Sequence, residues 1–77
     1  MTTDLEKAPV GKPATVVECD GGAGMVRKLD ALGLRPGKVV KKLSSQFMAG
    51  PVTILVDGRE LAMGRGIARK IRVTVAD

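Results

Sequence analysis

The amino-acid sequence predicts a mainly β domain: a small barrel of about five strands with one short helix after the first strand. Three observations carry that expectation. The large apolar residues are 10 Val, 7 Leu and 3 Ile beside a single Phe, with no Trp or Tyr, and β-branched side chains suit a pleated, half-buried surface. Short runs of alternating apolar residues recur between clusters of Gly, Pro and Asp. Only one segment shows helical periodicity. The 77 residues are expected to form one domain, residues 1–77. A chain of this size buries only about 60% of the surface that its unfolded form exposes.

Residues 1–13 contain Pro9, Gly11 and Pro13 and read as an irregular lead-in, with Leu5 and Val10 able to tuck onto the barrel. Ala14 to Cys19 is a β-branched run and the first strand. Asp20-Gly21-Gly22 turns the chain. Ala23 to Leu32 is the helix: Met25, Val26, Leu29 and Leu32 form one apolar stripe, Arg27, Lys28 and Asp30 fall on the other side, and Gly33 is suited to the C′ position. Arg35-Pro36-Gly37 is a turn. Val39 to Met48 reads as a long strand with an expected bulge, because Lys41 and Lys42 spoil its alternation; Lys42 is expected to bury its stem and expose its ammonium. Ala49-Gly50-Pro51 is a turn. Val52 to Val56 is the clearest strand, and Asp57-Gly58 is a hairpin signal that leads into Arg59 to Met63. Gly64 to Lys70 is a short helical turn or bend. Ile71 to Val75 closes the chain, with Ile71, Val73 and Val75 on one face.

Short strands need closure or a second layer to protect their edges. A five-stranded barrel with one helix fits either an SH3-like barrel or an OB-fold. The helix of an OB-fold usually sits between the third and fourth strands, whereas this one follows the first, so the SH3-like reading is preferred.

Net charge is +5, distributed unevenly. Residues 27–77 hold 11 basic and 4 acidic groups, while residues 1–26 carry a small negative excess. Such a surface can meet nucleic acid, a membrane face or an acidic protein. Cys19 is the only cysteine, so no internal disulfide forms. The first residues lack a signal-peptide pattern, and no apolar stretch is long enough to span a bilayer. A soluble, cytoplasmic protein is expected.

Histidine is absent, which removes the commonest general base and the commonest transition-metal ligand. One cysteine cannot build a zinc or iron–sulfur site. Gly22-Ala23-Gly24 and Gly64-Arg65-Gly66 each lack the third glycine of a dinucleotide fingerprint, with Arg27 and Arg69 standing in its place. Ser44, Ser45 and Cys19 have no histidine to activate them. The expectation is a binding protein without catalytic activity, metal site or cofactor.

Two binding readings stay open. A Lys/Arg excess suits phosphate contacts, but barrel proteins that bind single strands stack bases on aromatic residues, and here only Phe47 is available. Alternatively the stripe Met25, Val26, Leu29 and Leu32 packs on the barrel yet leaves Met25 and part of its length accessible to a protein. Methionine adapts well to such contacts, and Arg27, Lys28, Arg35, Lys38, Lys41 and Lys42 could steer an acidic partner.

The series Gly21-Gly22, Arg27-Lys28-Leu29 and Leu32-Gly33-Leu34-Arg35-Pro36-Gly37 resembles the ferrous iron transport protein A (FeoA) family. Gly50-Pro51, Gly58-Arg59-Glu60-Leu61-Ala62-Met63 and Ile67-Ala68 with Ile71 and Val73 continue the resemblance, which covers about residues 5–75. It implies an SH3-like barrel and a cytoplasmic accessory role in bacterial Fe(II) uptake. The implied partner is the ferrous iron membrane transporter, through its cytoplasmic GTP-binding domain. Similar domains occur at the C-terminus of iron-dependent repressors, but no helix-turn-helix is present here. Nucleic-acid binding and direct binding of a transition metal remain the alternatives. The expected contact surface is the helix and the turn after it: Met25, Arg27, Lys28, Leu29, Leu32, Arg35 and Lys38.

Overall fold

The structure, a computed structural model, describes residues 1–45 and 50–76. In chain order the elements are β1 (Thr2–Asp4), β2 (Pro13–Cys19), α1 (Ala23–Ala31), β3 (Val39–Ser45), β4 (Val52–Val56), β5 (Arg59–Met63), the single-turn α2 (Arg65–Ala68) and β6 (Ile71–Val75). The strands form one antiparallel sheet in the order β1-β6-β2-β3-β4-β5. The sheet curls around a single core. Among the described residues its two ends, β1 and β5, do not pair, so the barrel keeps a seam. The architecture is mainly β and SH3-like, as the sequence predicts.

Alternation builds the inner face. In β4 the side chains of Val52, Ile54 and Val56 are buried, and in β6 those of Ile71, Val73 and Val75. Together with Leu5, Val16, Leu34 and Val40 they make an aliphatic core. The irregular alternation of β3 has the expected cause: its register against β4 shifts between Lys42 and Ser44, as at a bulge. A second shift lies in β2 between Val16 and Glu18. The strand expected to reach Met48 ends at Ser45 among the described residues; residues 46–48 of that prediction, Phe47 among them, lie outside those described.

Two features differ from the sequence-based reading. The lead-in is not wholly irregular, because Thr2–Asp4 pairs with β6, Thr3 opposite Val73. Three polar or acidic residues carry no alternation of their own; a partner strand at the far end of the chain makes them a strand. Leu5 is buried as expected, but Val10 is exposed. The second correction concerns Lys42, whose ammonium is not exposed. Lys42 sits opposite Ile54, a core-facing position, and residues opposite one another on paired strands share a face. The side chain is therefore directed inward, at 4% exposure. Its Nζ donates to Glu6 O at 2.6 Å and Ala8 O at 3.1 Å.

That lysine fastens the lead-in across one end of the barrel. The Gly11 N–H donates to Lys42 O, and the Leu5 N–H lies within reach of both Ala68 O and Ile71 O. Glu6 adds a tie to α2, with Arg69 at 3.0 Å and Arg65 at 3.4 Å. The hydrogen bond from Arg69, reinforced by the charges of both arginines, holds the Glu6 carboxyl below the usual carboxylate range.

Candidate functional site

Helix α1 is positioned from its C-terminal end. Its N-cap, Gly22, is extended and offers no side-chain cap. At the other end the Gly33 N–H donates to Asp30 O and the Leu34 N–H to Leu29 O, both at 2.9 Å, the paired bonds of a Schellman motif. Gly33 has φ +93°, which a residue with a Cβ adopts only under strain. A Cβ there would also lie 3.0 Å from Asp57 Oδ2. Leu29 and Leu34, joined by the second bond, are both buried. The helix end is thus anchored against the β4–β5 turn. That turn, Asp57-Gly58, has positive φ at both residues, the two-residue hairpin form in which Gly is favoured second.

An open cleft of about 520 Å³ runs between α1 and the seam edge of the sheet. Met25, Lys28, Leu29 and Leu32 line one side; Leu61 and Met63 of β5 and Ile67 of α2 line the other. Leu29 and Met63 are buried and form the floor. Met25, Leu32, Leu61 and Ile67 are half-buried walls that pack on the core. At one end Arg59 donates to Leu32 O at 2.8 Å. Lys28 stands exposed at the rim with no ion pair or hydrogen bond among the described residues. The arrangement suits capture of apolar side chains beside one positive charge.

The remaining predicted residues lie elsewhere. Arg27 and Arg35 border a second opening, of about 440 Å³, on the other flank of α1, with Val26, Cys19 and Leu34. Arg35 is paired with Asp30 at 3.3 Å. Lys38 is tied to Asp57 at 2.7 Å, and that hydrogen bond lowers the Asp57 carboxyl from its ordinary value. Of the seven predicted contact residues, the structure therefore gathers four, Met25, Lys28, Leu29 and Leu32, in one cleft. Leu61, Met63 and Ile67 were missed. Their only signal is that Leu61 and Met63 share one face of a strand, which in sequence reads as ordinary core.

Cys19 is half-buried, with Sγ 3.8 Å from Leu34 O. Burial, and then the charges of Asp20 and Glu18, push its thiol up from its ordinary value, against reactivity. Among the described residues no group of three or more Cys, Asp or Glu side chains is placed to hold a metal ion. No helix among them is long and apolar enough to cross a membrane.

Comparison with known proteins shows the family. The FeoA domain matches residues 3–75. "Putative Fe(2+) transport protein A" of Methanocaldococcus jannaschii is 36% identical over 73 residues, covering 95% of this chain and 87% of that protein. The fold is similar to a crystal structure of "Iron Uptake Regulatory Protein (FeoA)", with a TM-score of 0.89 at 33% identity, over 99% of this chain and 100% of the other. It is also similar to the solution structure of the FeoA protein from Chlorobium tepidum, with a TM-score of 0.85 at 27% identity, over 97% of this chain and 71% of the other.

Proposed function

Since the chain belongs to the FeoA family, we propose that it is a non-catalytic accessory protein of Fe(2+) transport. In this reading it binds the cytoplasmic GTP-binding domain of a ferrous iron membrane transporter and so modulates transport. Involvement in Fe(2+) transport rests on the family and on the relative's name. Docking on a protein rests on the cleft. A domain of 77 residues has little apolar side chain to spare, yet Met25, Leu32, Leu61 and Ile67 remain half-exposed as one contiguous patch. Patches of that kind mark interaction sites. Methionine adapts to varied partner shapes, and Lys28, with Arg27 next to it, favours an acidic approach.

The contact surface in this reading is the cleft wall formed by Met25, Lys28, Leu29 and Leu32, with Arg27, Arg35 and Lys38 flanking it. Leu29, being buried, shapes the floor and makes little direct contact. Titration of the isotope-labelled protein with the isolated GTP-binding domain tests it. Amide shifts are expected over residues 24–32 and 61–67. An unchanged spectrum at saturating domain concentration would remove the reading.

A further inference from the structure

The seam raises a question that the cleft alone does not: what satisfies the free edge of β5. Val56 and Arg59 flank the two-residue turn and lie opposite one another, so they form a hydrogen-bonded pair. Bonded and non-bonded pairs then alternate along the ladder. Leu61 and Met63, opposite Ile54 and Val52, turn their N–H and C=O groups toward β4. Glu60 and Ala62 turn theirs outward. Among the described residues nothing pairs with those groups. The opposite edge, β1, has only three residues. β5 has five, contains no proline, and shows no register shift against β4. Proteins usually blunt such an edge, charged side chains being one device; here the exposed charges Arg59 and Glu60 stand at the turn end of β5, while Leu61, Ala62 and Met63 border the apolar cleft.

We infer that the seam is a strand-addition site: an extended segment of a partner protein pairs with β5 as a seventh strand, lays apolar side chains into the cleft and presents a carboxylate to Lys28. The inference rests on the docking reading above and specifies its binding mode. One observation selects an extended occupant over a helix. A helix could fill the cleft but would leave the outward groups of Glu60 and Ala62 without partners, because its own backbone bonds are internal. A strand satisfies them, and its side chains alternate, so that every second one reaches Leu32, Leu61, Met25 or Ile67. The charge follows from the lining: Lys28 is the one charged side chain among the cleft residues and is unpaired. A second copy of this chain fits less well, since it carries net charge +5.

The test uses the full chain and a displayed library of random short peptides. Enriched sequences are expected to place apolar residues at alternate positions with an acidic residue, and the synthesised peptides to give cross-strand nuclear Overhauser contacts to the Glu60 and Ala62 amides. Ala62→Pro removes an outward N–H and leaves the β4 ladder intact, since proline is tolerated on edge strands. It is expected to weaken peptide binding by about tenfold or more. A peptide N-methylated opposite Ala62 should lose the same factor against the unaltered protein, which keeps the test valid if the variant folds poorly. An empty selection, peptides bound as helices or away from β5, pairing of two copies through β5, or N-methylation without effect would overturn the inference. The isolated GTP-binding domain separates the two claims. If the domain binds the protein and Ala62→Pro equally, strand addition fails and docking stands. If it binds neither while peptides pair with β5, strand addition stands and the assigned partner fails.

Discussion

Replacing Lys42 by Met tests how the lead-in is held. Methionine keeps most of the stem and removes the ammonium, while the two carbonyls that it served, Glu6 O at 2.6 Å and Ala8 O at 3.1 Å, stay where they are. Hydrogen bonds from a charged donor contribute about 1.5–3 kcal/mol each. Burying the ammonium costs several kcal/mol in the opposite direction. Removing one side of a buried polar contact strands the other, so the loss outweighs the relief, and we expect destabilisation by about 2 kcal/mol at neutral pH. In a domain of this size that lowers the melting temperature by roughly 8–16 °C. The pH dependence supplies a second signature. Burial, and then the charge of Arg65, lower the Lys42 pKa from its ordinary 10.5. Between the folded and unfolded pKa values the unfolded chain binds more protons, so the stability contributed by Lys42 rises with pH across that window. The gap between the natural protein and Lys42→Met should therefore widen as pH is raised from neutrality toward 10.5. With no Trp or Tyr in the chain, urea unfolding followed by far-ultraviolet circular dichroism is the suitable assay. A variant as stable as the natural protein at neutral pH, or a gap that narrows in alkali, would refute the reasoning.

Gly33→Ala should destabilise by at least about 1–2 kcal/mol, the cost of forcing a Cβ into left-handed backbone, with the approach of Asp57 Oδ2 adding to it; thermal melts check this. Cys19 should react with iodoacetamide more slowly than free cysteine at mildly alkaline pH, because its thiol is shifted up; equal rates by mass spectrometry would contradict the burial argument. For Glu6 the folded pKa is held below 4.5, so its contribution is present above that value and fades as pH falls through the folded pKa. Melting curves of the natural protein and Glu6→Gln should accordingly converge in acid, and a gap constant with pH would show that the Arg69 and Arg65 contacts contribute nothing through charge.

Most of the fold was legible because its strands carry their own evidence of face. Val52, Ile54 and Val56, and Ile71, Val73 and Val75, alternate without interruption, and Asp57-Gly58 states the hairpin between β4 and β5. Gly33 marked the helix end because positive φ at C′ selects glycine. Where the local pattern was silent, the reading failed. Thr2–Asp4 is a strand only because β6 offers it an edge. Lys42 looked like a surface residue because the alternation around it is broken by the bulge; its inward direction follows from its register opposite Ile54, which no local pattern states.

The site divided along a similar line. Met25, Leu29 and Leu32 could be found because one helix face gathers them at regular spacing; the stripe read from sequence is corrected at two places, since Lys28 shares that face and the exposed Val26 lies on the other flank. Leu61, Met63 and Ile67 could not, since an apolar residue on a strand reads as core whether the strand next to it exists or is missing. What turns Leu61 from core residue into cleft wall is the absence of pairing between β5 and β1, a property of the closed path of the whole sheet. Closing that gap within the chain would require the free edge of β1, three residues long, to pair with β5, five residues long, which it could match over only part of its length. Among the described residues no strand pairs with the outer edge of β5, and Leu61 beside it stays half-exposed.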